Sequence, residues 1–173
     1  MMSGQAKTQE MINGYNVGQL RARREQITLD ASLTERNPEL VARWIGASRA
    51  RVEFNDIVTH IGGDGELNAM QSLLATLAAC DIEVITFHAA LLGIQIEELS
   101  IAARGHFNVR ALWGFEDALG AGYDEMSYTV RLRAPGATVE QLAQLRERCE
   151  RSSPVGDTLS RRVPVTLEFV SET

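Results

Sequence analysis

The chain has 173 residues, 45% hydrophobic and 23% charged, the size and composition of one compact domain rather than a disordered segment. Its 17 basic and 23 acidic residues leave a net charge of −6, which argues against a nucleic-acid groove or an anionic membrane surface as partner. Two cysteines, Cys80 and Cys149, are too few for a disulfide-stapled secreted module.

The opening stretch, Met1 to Glu10, is polar and lacks the apolar core of a signal peptide, so residues 1–14 are expected as a loose tail. A short arginine-rich helix is expected from Asn16 to Gln26. Leu40–Trp44 and Arg49–Ile57, separated by Ile45-Gly46-Ala47, read as a β-hairpin or meander. The run Gly62-Gly63-Asp64-Gly65 then breaks the sheet. It lacks the third glycine and the lysine of a phosphate cradle, and Asp64 and Glu66 would repel an anion, so it reads as a turn.

Asn68 is placed to cap a helix that runs to about Leu92 and stops at Gly93. Such a helix is about 37 Å long, and its first half (Leu73, Leu74, Ala75, Leu77, Ala78, Ala79) is apolar on nearly all sides. It is therefore expected to be buried all round, in a core or between subunits. Leu67–Cys80 is too short to span a bilayer and is followed by Asp81 and Glu83, so a reducing, cytoplasmic setting is expected.

Two strands with a period of two follow. Leu99, Ile101, Ala103, Gly105 and Phe107 share one face, and Met126, Tyr128, Val130 and Leu132 share another. Thr138 and Gln141 form a capping box for a helix ending near Ser152, which Pro154 closes. A last strand alternates Val163, Val165, Leu167 and Phe169. The fold class is α+β.

Cys80 falls on a stripe with Leu73, Leu77, Val84 and Phe87, which suits a small buried hydrophobe. A thiolate nucleophile is the alternative, and it needs a cation nearby. Cys149 follows Leu142 and Leu145 on the core face of its helix and reads as packing. The three histidines have no zinc spacing; His88 lies seven residues beyond Asp81, about 10 Å along the helix. No metal or cofactor is implied.

Several stretches together resemble one family. Ser72-Leu73-Leu74-Ala75-Thr76-Leu77-Ala78-Ala79-Cys80, continued by Phe87-His88-Ala89-Ala90-Leu91-Leu92-Gly93-Ile94, is similar to the first cysteine helix of the OsmC/Ohr superfamily, the osmotically inducible and organic-hydroperoxide-resistance proteins. Arg151-Ser152-Ser153-Pro154-Val155-Gly156-Asp157-Thr158 resembles its second motif, where a cysteine usually precedes Pro-Val. The start Asn13-Gly14-Tyr15-Asn16-Val17, the pair Arg43-Trp44 and the loop Leu112 to Tyr123 resemble an OsmC-like subgroup.

The resemblance implies an intertwined homodimer, with curved antiparallel sheets packed on long central helices and two sites at the interface. It also implies an oxidative-stress role, in which a reactive cysteine held by an arginine and a glutamate attacks a hydroperoxide and a second cysteine resolves the sulfenic acid. Cys80 matches the reactive position, Ser153 the resolving one, and Met70 the glutamate. Arg43, or Arg49, from the partner subunit is the candidate arginine. Cys149 lies one turn before Ser153, about 6 Å away, too far to replace it without backbone movement.

Two functions are open on these residues. One is a one-cysteine peroxidase using Cys80 with an external thiol reductant. The other is a non-catalytic dimer that holds a small apolar or peroxide ligand, with Cys80 lining the cleft.

Overall fold

The computed structural model describes residues 10–171. Its elements run β1 (Met11–Ile12), β2 (Tyr15–Asn16), α1 (Val17–Leu29), β3 (Val41–Trp44), β4 (Ala50–Phe54), β5 (Ile57–Ile61), α2 (Ala69–Leu91), β6 (Glu98–Phe107), β7 (Tyr123–Arg133), α3 (Val139–Ser152) and α4 (Pro154–Ser160). A short 3₁₀ turn, Ala31–Thr34, follows α1. All strand pairs are antiparallel, in a β1-β2 pair, a β3-β4-β5 sheet and a β6-β7 pair. The α+β class is as expected.

Residues 11–14 are not a loose tail but belong to the β1-β2 hairpin; the expectation for residues 1–9 lies outside the described residues. Asn13 and Gly14 adopt positive φ (51° and 83°), which suits the tight two-residue turn of β1-β2. The Asn13 amide donates to Ile94 O at 3.0 Å, and its oxygen accepts from Ile96 N at 2.9 Å. These bonds pin the hairpin to the chain leaving α2. The helix expected from Asn16 forms with Asn16 as its cap, accepting from Gln19 N.

The expected strand Arg49–Ile57 is two strands. Asn55, at φ 51°, turns the chain so that Phe54 faces Ile57 across β4-β5. The glycine run 62–65 is a turn, as read. Gly62 N donates to Leu67 O, and a Cβ on Gly62 would lie 2.3 Å from Ser48 O, so only glycine fits.

Asn68 and Gln71 close a reciprocal capping box at the start of α2, and Thr138 and Gln141 do the same for α3. Gly93, at φ 73°, ends α2. By length and composition α2 could cross a membrane. Here it carries the buried Asp81 at mid-length and packs against β6, α3 and α4.

The expectation that α2 is buried all round does not hold within one chain. Leu77, Asp81, Ile85 and Ala89, spaced i, i+4, are the buried stripe, and the opposite side is open. The stripe lies one residue away from Cys80, which is half-buried. Ile85, Ala89, Ile94 and Leu145 form the core, with Leu99, Ile101, Leu132 and Cys149 packed on it. The alternation in β6 and β7 is realised as read: Leu99 pairs with Leu132, Ile101 with Val130 and Ala103 with Tyr128.

Near the C-terminus α3 ends at Ser152 ahead of Pro154, as expected. A further helix not expected from the sequence follows: Ser153 caps α4, and Pro154 occupies its first turn, where a missing N–H costs nothing. One expectation is corrected. The strand expected over Val163–Phe169 is in no sheet. Val165 and Phe169 are 92% and 85% exposed, so the alternating segment packs on no sheet of this chain.

Candidate functional site

Three segments meet beside Cys80. The cysteine and Asp81 lie at the middle of α2, Tyr128 on β7, and Ser153 at the α3-α4 junction. Packing of Leu145 on Ile85 brings α3 against α2, and the Ser153 cap orients its hydroxyl. Cys80 Sγ and Ser153 Oγ lie 3.9 Å apart. Ser153 Oγ donates to Asp81 Oδ1 and accepts from Gly156 N at 3.0 Å.

Asp81 is only 5% exposed, the one buried charged residue among those described. A carboxylate there is tolerated because hydroxyl donors meet it. None of the ion pairs among the described residues includes it. From sequence it is only an acidic neighbour of Cys80. Its four-residue spacing from Leu77 and Ile85, both buried, was the available signal.

A cleft of about 680 Å³ opens between α2, β7 and α3, lined by Asp81, Ile85, Tyr128, Leu132, Leu145 and Cys149 among others. A second, of about 660 Å³, reaches Ser153, Gly156 and Leu77 past Tyr128 and Cys149. Within the single chain Cys149 lines both clefts and Cys80 neither. The α2 backbone turns Cys80 to the side of the buried stripe, so the sulfur meets Ser153 instead.

Burial pushes the Tyr128 phenol from 10.0 up to about 12, with the neighbouring Asp81 next in effect. Burial likewise pushes the Cys149 thiol from 9.0 up to about 11, again with Asp81 adding to it. Cys149 is therefore a protonated packing residue at neutral pH, as the sequence suggested. Both groups ionise first in the unfolded chain, so stability is full below about pH 9 and falls as pH rises toward 12. The urea midpoint is expected to be lower at about pH 10.5 than at about pH 8, with a smaller loss in Cys149→Ser. Equal midpoints would contradict these assignments.

The candidate arginines are engaged elsewhere in the chain. Arg43 on β3 lies 4.0 Å from Glu53, and Arg49 pairs with Glu66 at 3.1 Å, lying over Gly63. The Arg49 guanidinium is held above its usual range by the hydrogen bond and charge of Glu66. Neither is bonded to Cys80 or Asp81. Met70, at the family's glutamate position, contributes its backbone oxygen, which accepts from Tyr123 Oη at 2.8 Å. Among the described residues no group of three His, Cys, Asp or Glu side chains is placed to hold a metal ion.

A family model described as OsmC-like protein matches residues 62–168, from the glycine turn through α4 and beyond. The chain belongs to the OsmC-like family. The fold of this OsmC-like chain also matches solved structures. An OsmC-like protein from Mycoplasma pneumoniae superposes with a TM-score of 0.61 at 15% identity, covering 73% of this chain and 89% of that one. An OsmC-like protein of unknown function from Vibrio cholerae gives 0.52 at 12% identity, covering 72% and 94%. The organic hydroperoxide resistance protein OhrB of Bacillus subtilis gives 0.45 at 15%, covering 70% and 89%. No curated protein sequence matches the chain.

Proposed function

We propose that this OsmC-like chain is a one-cysteine peroxidase that reduces organic hydroperoxides at Cys80. The observation that carries the reading is the meeting of Cys80 with Ser153, 73 residues away, at 3.9 Å, within an OsmC-like fold. The Cys80 thiolate attacks the terminal peroxide oxygen. The O–O bond breaks, a sulfenic acid forms, and the departing alkoxide takes a proton to leave as an alcohol.

Serine at 153 cannot close a disulfide, so two external thiols complete the cycle. They return Cys80 to the thiol and leave as their own disulfide with one water. In this reading the site works in a cytoplasmic, reducing setting, and Arg43 reaches it from a second copy of the chain.

The test is direct. Reduced protein is treated with an organic hydroperoxide and a sulfenate-specific trap, and the adduct is mapped by mass spectrometry. The adduct is expected on Cys80, with Cys149 unlabelled. No adduct there, or a rate no faster than that of a free thiol, overturns the reading.

A second reading, a non-catalytic dimer that binds an apolar small molecule, is favoured by the cleft lined with Ile85, Leu132 and Leu145. It predicts that Cys80→Ser leaves both ligand-dependent stability and the cellular peroxide response unchanged.

Both readings take the working form to be a homodimer. The support is the open side of α2 and the exposed apolar Trp44, Trp113, Val165, Leu167 and Phe169. Sedimentation at micromolar concentration is expected to give twice the chain mass. A stable monomer would refute it.

A further inference from the structure

The hydrogen-bonding capacity of one hydroxyl decides the resting state of Cys80. A serine hydroxyl has one hydrogen and two acceptor lone pairs. The hydrogen of Ser153 goes to Asp81, because an ionised carboxylate only accepts. One lone pair takes the Gly156 N–H at 3.0 Å. What remains toward Cys80, 3.9 Å away, is an acceptor. The sulfur must therefore be the donor, and only the thiol has a hydrogen to give.

We infer that Asp81, acting through the Ser153 hydroxyl, restrains Cys80 as a hydrogen-bond-donating thiol, and that loss of the Asp81 charge turns that hydroxyl toward the sulfur and favours the thiolate. The Cys80 proton then passes to solvent. With its charge gone, the group at 81 accepts the Ser153 hydrogen more weakly, and that hydrogen can then donate to S⁻.

The groups around Asp81 agree with such a restraint. Cys80 adjoins it on α2, Tyr128 faces it from β7, Cys149 and Glu150 from α3, and Ser153 from the α3-α4 junction. Arg146 lines the same cleft, but its side chain pairs with Glu150 at 2.8 Å. No cation among the described residues competes with Ser153 for the carboxylate. The restraint regulates the thiol on which the peroxidase reading rests.

The test is the rate of Cys80 alkylation by iodoacetamide between about pH 6 and 10, read peptide by peptide, in wild type, Asp81→Asn, Ser153→Ala and the double variant. Asp81→Asn is expected to speed alkylation at pH 7 about tenfold and to move the pH midpoint of the rate downward. In the Ser153→Ala background the same change is expected to add less than about threefold, because the hydroxyl carries the coupling.

An Asp81→Asn rate no faster than wild type overturns the inference. So does an equal gain in both backgrounds, since the charge would then act through space alone. If circular dichroism shows that Asp81→Asn does not fold, Ser153→Ala and Ser153→Thr decide. Ala is then expected to be at least about threefold faster and Thr to match wild type, whereas three equal rates refute the restraint. Iodoacetamide needs no peroxide chemistry, so the two ideas fail separately. An absent sulfenate sinks the peroxidase reading alone, and uncoupled alkylation sinks the restraint alone.

Discussion

Ser153→Cys is expected to form a disulfide with Cys80 under mild oxidation, where the wild-type chain keeps both cysteines free. Sγ of Cys80 and Oγ of Ser153 are 3.9 Å apart, and Ser153 sits between two helices rather than within one. The longer C–S bond and a rotation about χ1 close much of the gap to a sulfur–sulfur bond. The bridge would close a loop of 73 residues, which in the chain-entropy account is worth about 4 kcal/mol. Part of this is offset by loss of the Ser153 cap and of its bond to Asp81. Thiol counting and peptide mapping detect the bridge, and denaturation with and without reductant measures it. Three titratable thiols after oxidation, rather than one, would show the junction too rigid for the bridge. Hydroperoxide turnover in the variant would be expected to shift from monothiol to dithiol reductants.

Leu145→Ala is expected to cost about 3 kcal/mol, the range for a buried leucine whose cavity cannot collapse. Leu145 is 3% exposed and packs in the cluster with Ile85, Ala89 and Ile94. It is the residue that fastens α3 to α2, so its loss also loosens Ser153 from Asp81. Urea unfolding should show the full loss, and Cys149, on the same face of α3, should alkylate faster in the folded variant. A loss below about 1 kcal/mol would mean that α3 is held by something other than this core. The two experiments are linked: a chain whose α3 has loosened should also close the Ser153→Cys bridge less efficiently.

Much of the local structure was legible in the chain order of residues. The capping boxes at Asn68 and Thr138, the stop at Gly93 and the alternation of β6 and β7 rest on contacts within a few residues, so local chemistry decides them. The turn at Asn55 and the hairpin at Asn13-Gly14 were missed although their residues are common turn formers. Their neighbours, Phe54-Asn55-Asp56-Ile57 and Met11-Ile12-Asn13, also read as continuing strand and tail. Val163–Phe169 has the pattern of a strand without a partner in the chain, and a period of two cannot report whether an edge is available.

The candidate site divides in the same way. Cys80, Ser153 and Met70 could be placed by motif, and Cys149 by helical periodicity, because each depends on position along the chain. Asp81 could not. Its burial, its hold on the Ser153 hydroxyl and its nearness to Tyr128 arise only when α2, β7 and the α3-α4 junction meet. The length, the acidic balance and the two unpaired cysteines bounded the molecule to an α+β chain with one candidate thiol. What surrounds that thiol was decided by tertiary structure, because a hydrogen bond across 72 residues has no signature in sequence spacing.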